Sequence, residues 1–220
     1  MDREAREEGS SSQNASISVL SIKESPVGYK YALSDGTSFF IVASHFYNRN
    51  IQSGNILSDA DLEYLTNENS FYHAYRQALR FLEIRDHSSY ELSLKLRRKG
   101  YSAEAAANVS ADLEKNHYLD DRKFAENFLL SLMRRKNASR LVLARKLAEK
   151  GIPREIAEEL LYKAYTDEDS FEAVKNSAEK LMRKKGLSRE KLIQSLLRKG
   201  FCYSEINEYI KDKNILFNNE

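Results

Sequence analysis

Apolar residues recur along this chain with two different periods. Over residues 16–42 the spacing is that of strands. Ile17-Ser18-Val19 opens one run, Tyr29-Lys30-Tyr31-Ala32-Leu33 alternates with period two, and the β-formers Phe39-Phe40-Ile41-Val42 fill a third. Ser34-Asp35-Gly36-Thr37 separates the last two runs. Asp-Gly predicts a tight hairpin, because a type I′ turn needs positive φ at both central residues. A small antiparallel sheet is therefore expected. Gly54 marks a turn, Ser58-Asp59-Ala60-Asp61-Leu62 reads as a short capped helix, and the Leu62–Leu65 pair closes the domain.

From Glu68 onward the period becomes helical. Phe71, Ala74, Tyr75, Ala78, Leu79 and Leu82 lie three and four residues apart, on one helix face. Ser88-Ser89-Tyr90-Glu91 has the form of a capping box, with the Ser88 hydroxyl and the Glu91 carboxylate each taking an orphan amide. It opens a helix through Leu92 and Leu96 that stops at Lys99-Gly100, where glycine supplies a left-handed residue. A third helix covers about Ala103 to Lys115.

This stop recurs as Lys150-Gly151 and Lys199-Gly200, at intervals of about 50 residues. Leu96, Leu147 and Leu196 stand four residues before each glycine, and Leu92, Leu143 and Leu192 eight before. Tyr101, Ile152 and Phe201 follow directly, and Phe71, Phe124 and Phe171 lead the upstream helices. Pro153, Ser188 and Ser204 are placed to start helices. The expected architecture is mainly α, with three tandem three-helix units in an elongated row, preceded by a small β-rich domain. The expected boundaries are a disordered tail at 1–15, the β-rich domain at 16–67, and repeats at 68–117, 118–166 and 167–220.

Composition narrows the class. The 220 residues are 41% hydrophobic and 31% charged, with two prolines, which suits thin helical layers. One cysteine, Cys202, allows no intrachain disulfide and no Cys-based zinc site; after Phe201 it reads as a small core residue. The acidic start is no signal peptide and no apolar run is long enough to span a membrane, so a cytoplasmic protein with no membrane partner is expected.

No catalytic pattern stands out. His45, His73, His87 and His117 form no metal-binding spacing, and no glycine-rich nucleotide loop is present. Asp120-Asp121 reads as helix capping ahead of Phe124 in preference to a metal site. Neither a catalytic residue nor a cofactor is expected.

Charge is more informative by segment. The net formal charge of +2 conceals −5 over residues 1–70 and +7 over residues 71–220. Arg134-Arg135-Lys136, Arg140, Arg145 and Lys146 crowd the junction between the first two helices of the second unit. Arg145 lies about 200° round the helix from Leu143, on the solvent side. Lys180, Arg183, Lys184, Lys185, Arg189 and Lys191 occupy the matching junction of the third. These clusters read either as solvated helix faces or as a stripe for phosphates or an acidic protein groove.

The same residues carry a family resemblance. Arg85-x-His87-Ser88-x-x-Glu91-Leu92-x-x-x-Leu96-x-x-Lys99-Gly100-Tyr101, then Tyr118-Leu119-Asp120-Asp121-x-x-Phe124-Ala125, then Arg140, Leu147 and Lys150-Gly151-Ile152 resemble motifs of the RecX regulatory proteins, which modulate the RecA recombinase. The resemblance covers about residues 68–212. Gly200 closes the most divergent unit. The chain departs from the family at Asn137-Ala138 and at His117, where a glycine is often found.

The resemblance implies a non-enzymatic, monomeric regulator in DNA recombination, repair and the SOS response. Such a protein binds the RecA–DNA filament and restrains RecA's ATPase and strand exchange. Contacts with single- or double-stranded DNA are implied too. The residues favoured for contact with RecA or DNA are Arg134, Arg135, Lys136, Arg140, Arg145, Lys146, Lys184, Lys185 and Arg189. Two competing readings are an autonomous DNA-binding protein built from helix-turn-helix-like units and a metal-dependent nuclease. The absence of clustered His or carboxylates argues against the nuclease.

Overall fold

The computed structural model describes residues 16–183 and 187–212. The expected tail at 1–15 therefore lies outside the described residues. The chain divides into two units, Met1–Gln77 and Ala78–Glu220.

In the first unit, β1 (Val19–Ser25), β2 (Gly28–Leu33) and β3 (Ser38–Val42) form an antiparallel sheet in the order β1-β2-β3. Tyr31 faces Ile22 on one side and Phe39 on the other. Val19, Tyr31, Leu33, Ile41 and Leu65 are buried together, and Leu62 packs against them. The β2–β3 turn differs from the type I′ expectation. Gly36 has φ 85°, whereas Asp35 is not among the positive-φ residues. Gly36 N–H donates to Leu33 O at 3.1 Å, and the Asp35 carboxylate accepts from both the amide and the hydroxyl of Thr37. That is a type I turn followed by a left-handed glycine, which also suits strand twist.

α1 runs unbroken from Asp59 to Ile84. The short capped helix expected at Ser58 and the helix expected from Glu68 are thus one element. Ser58 and Asp61 do cap its start. Phe71 packs on His45 in the first unit at 4.6 Å between ring centroids, so it does not play the part that Phe124 and Phe171 play in the later repeat cores.

The second unit carries α2 (Ser89–Arg98), α3 (Ala103–Lys115), α4 (Asp121–Met133), α5 (Arg140–Ala148), α6 (Arg154–Ala164), α7 (Asp167–Met182), α8 (Arg189–Arg198) and α9 (Tyr203–Asp212). The aligned leucines Leu92, Leu96, Leu143, Leu147, Leu192 and Leu196 are all core. Each Lys-Gly stop is a Schellman motif. The glycine amides bond to Arg97 O, Ala148 O and Leu197 O, and the amides of Tyr101, Ile152 and Phe201 bond to Leu96 O, Leu147 O and Leu196 O. The alignment of leucine, glycine and bulky residue therefore has one cause. The motif ties the residue after the glycine to the residue four before it, and their side chains meet.

One of the two departures from the glycine pattern is explained at its own residue. His117, φ 61°, closes α3 with the same pair of bonds, to Glu114 O and Leu113 O. At the other, the left-handed residue is Lys136, φ 47°, which turns the chain after α4, and not Asn137 or Ala138. At both places a non-glycine residue holds the left-handed conformation.

Helix starts need smaller corrections. Ser88, Ser102, Ser139 and Ser188 cap helices through their hydroxyls. Pro153 is the residue before the first helical position, and Ser204 lies inside α9. Cys202 is exposed, contrary to the core expectation; its amide donates to Glu205 at the entrance of α9.

Candidate functional site

Within the second unit, neighbouring repeats join by one repeated device. The Ser88 hydroxyl at the start of α2 donates to Lys150 O at 2.6 Å, and the Ser139 hydroxyl at the start of α5 donates to Lys199 O at 2.8 Å. Each N-capping serine thus accepts from its own helix and donates to the Lys-Gly stop of the following repeat. The close approach needs glycine. A Cβ on Gly151 would sit 2.2 Å from Tyr90 Cβ, and one on Gly200 would sit 2.9 Å from Ser139 Oγ and 3.2 Å from Leu141. Tyr90 and Leu141 stand at the same place, two residues after the serine. In the third repeat that place holds exposed Glu190, whose carboxyl is held below its usual pKa by its own backbone amide and the Ser188 hydroxyl.

The family-motif acids serve this junction. Glu91 does not complete a capping box. Its carboxylate takes two bonds from Arg85 at 2.9 Å and one from Lys150 at 2.7 Å. These bonds outweigh its partial burial and hold its pKa down to about 2. Asp120 caps its own helix through Lys123 N–H at 2.9 Å, while Asp121 accepts Ser89 N–H at the start of α2. A reciprocal capping box does occur, between Thr166 and Asp169.

The cations fall into different surroundings. Arg134 follows the last turn of α4, and Arg140 and Arg189 begin α5 and α8. All three, with Arg135, are exposed and have no ion pair to another described residue. Lys136 is engaged: its ammonium lies 2.8 Å from Glu172, which raises its pKa. The adjoining carbonyls of Lys136, Asn137 and Ala138 accept from Asn176, Ser177 and Tyr165. This loop is anchored to the third repeat, and Lys136 has a structural task there.

Arg145 and Lys146 share Glu149, at 3.7 and 2.8 Å. Along α5, Arg145 and Lys146 lie about 140° and 240° round from Arg140, so these three do not form one stripe. Lys184 and Lys185 lie outside the described residues. Among the described residues no three His, Cys, Asp or Glu gather as a metal cluster, and no helix is long and apolar enough to cross a membrane. The cations that sequence counting passed over are Arg198 and Lys199, at the end of α8. Their only signal is position, beside a Lys-Gly stop that meets the preceding repeat.

Fold and junctions together define a tandem three-helix-repeat protein with a small β-sheet domain at its N-terminal side. Residues 74–113 match the family model of the first three-helix domain of RecX, and residues 120–161 match that of the second. The Regulatory protein RecX of Chlorobaculum tepidum is 36% identical over 142 residues, covering 63% of this chain and 86% of that protein. The Regulatory protein RecX of Streptococcus gordonii is 28% identical over 196 residues, covering 86% of this chain and 74% of that protein. A crystal structure of regulatory protein RecX superposes with TM-score 0.72 at 21% identity, over 89% of this chain and 99% of the other. The chain belongs to the RecX family of regulatory proteins.

Proposed function

We propose that this protein is a non-enzymatic regulator that binds the RecA–DNA filament and restrains RecA's ATPase and strand exchange. The observation that carries the reading is membership of a family whose relatives are named regulatory proteins. The repeat architecture supports it. Serine-to-carbonyl junctions fix successive units, and each unit presents cations at its edge. Several weak contacts on one scaffold add as avidity. Arg134, Arg135, Arg140 and Arg189 are the side chains best placed to meet DNA phosphates or an acidic protein surface, since they are exposed and form no ion pair within 4 Å to another described residue. The place of action is the cytoplasm, with RecA and DNA.

The test is RecA ATPase on single-stranded DNA, with and without the protein, at two salt concentrations. Inhibition that weakens with salt is expected, and an unchanged ATPase overturns the reading. The exposed arginines also suit a second reading, autonomous DNA binding. Steeply salt-dependent affinity for free DNA, with no effect on RecA, would establish that reading in its place.

A further inference from the structure

The second repeat carries an open groove. α5, the start of α6 and the end of α8 enclose about 880 Å³ of open space, all within the second unit. Its floor is aliphatic: Leu141, Ala144, Ala148, Ile152 and Ala157. The groove exists because α5 carries alanines at two outward positions. The equivalents of Ala144 and Ala148, counted back from the Lys-Gly stop, are Ser93 and Arg97 in the first repeat and Ile193 and Leu197 in the third. The other copies thus carry larger side chains at these positions. Leu141 remains 66% exposed at the groove's edge.

The rim is basic. Arg145, Arg154, Arg198 and Lys199 line it, with Glu158 as the acid among the lining residues. Arg154 is paired with Glu158 at 2.6 Å and Arg145 with Glu149 at 3.7 Å. Among the described residues, Arg198 bonds to the Ser195 hydroxyl, at 3.4 Å, with no ion pair, and Lys199 has no ion pair either. Positive charge at the α8 end is thus left over.

This combination selects among partners. Single-stranded nucleic acid is held by cations together with aromatic rings on which bases stack. No aromatic residue lines this groove. An aliphatic floor under a cationic rim fits an amphipathic helix with aliphatic anchors flanked by carboxylates. The volume lies within the usual range for binding clefts.

We propose that this groove is the docking site for an acidic amphipathic helix of the protein partner. It deepens the regulator reading and rests on it, and so it places that helix on RecA. Ala148→Arg installs the first repeat's residue and removes the apolar floor without reversing charge; Arg198→Glu/Lys199→Glu reverses the rim. Both variants change exposed positions.

The test is cosedimentation of the full-length protein with preformed RecA–DNA filaments, alongside binding of the same DNA without RecA. The expected result is a loss of filament affinity of about tenfold or more in both variants, with free-DNA binding unchanged by Ala148→Arg. Wild-type binding to filaments with both variants binding equally well overturns the groove assignment and leaves the regulator reading standing. Equal loss of free-DNA binding in Ala148→Arg assigns the groove to nucleic acid and overturns the proposal. A wild-type protein that does not bind filaments at all overturns both.

Discussion

The Asp121 carboxylate accepts the Ser89 amide proton at 2.7 Å, across 32 residues of sequence. Two adjacent aspartates therefore cap two different helices: Asp120 starts α4, and Asp121 caps α2 of the preceding repeat.

Removing either aspartate therefore has separable effects. Asp120→Ala and Asp121→Ala each cost about 1–2 kcal/mol, the usual worth of an N-terminal cap. Amide hydrogen exchange should quicken in the first turn of α4 for Asp120→Ala and in the first turn of α2 for Asp121→Ala. Exchange changes confined to α4 in both variants would contradict the cross-repeat role.

The three glycines of the Lys-Gly stops are unequal. Gly100, φ 95°, has open space where a Cβ would go, whereas Gly151, φ 76°, would place a Cβ against Tyr90. Gly100→Ala should cost about 1 kcal/mol, from its left-handed backbone alone. Gly151→Ala adds steric overlap and should cost about 2 kcal/mol more. Urea unfolding of the two variants measures the difference.

His117 offers the opposite change. It is exposed and left-handed, at a position where a Schellman motif favours glycine. His117→Gly should stabilise the second unit by about 0.5–1 kcal/mol, visible as a rise in thermal midpoint. Lys136→Gly should gain less, because it also removes the Glu172 pair.

Glu91 sets an acid limit. Its folded pKa, about 2, lies below the ordinary value of 4.5. The folded state thus binds its proton less readily than the unfolded chain. The stabilisation is complete above about pH 4.5 and is lost as pH falls towards 2. With Arg85 half-exposed and screened, its worth is about 1–2 kcal/mol. Glu91→Gln should be less stable by that amount at neutral pH and converge on the wild type as pH falls through about 2. Burial lowers the pKa of His87. That group destabilises both proteins as pH drops below its unfolded value of 6.5, and more so in Glu91→Gln, which removes the Glu91 charge that favours the imidazolium; the comparison is therefore read above pH 6.5 and again at the acid limit.

What the sequence disclosed follows the range of the interactions. The Lys-Gly stops were legible because a Schellman motif is complete within six residues, and the aligned leucines because helical period reveals a buried face. Ser88 was legible as a cap for Glu91 N–H, three residues on, but not as a donor to Lys150, 62 residues away. Glu91 was misassigned for the same reason: the local partner suggested by its spacing lost to Arg85 and a distant lysine. The basic clusters overstated free charge, because counting cations does not show that Glu172 meets Lys136 from another repeat. The groove on α5 was invisible, since two alanines on a helix carry no signal until the neighbouring helix leaves them uncovered.

Glu190 changes the character of the third repeat's outer face. Where Tyr90 and Leu141 lie against the glycine of the following unit, Glu190 holds a carboxylate and engages the Ser188 hydroxyl that would serve as the next donor. A further copy seated in the same way would have to strip water from that charge and break its bonds. One side chain thus sets the third serine apart: Ser188 meets a carboxylate, where Ser88 and Ser139 each meet a carbonyl of the next repeat.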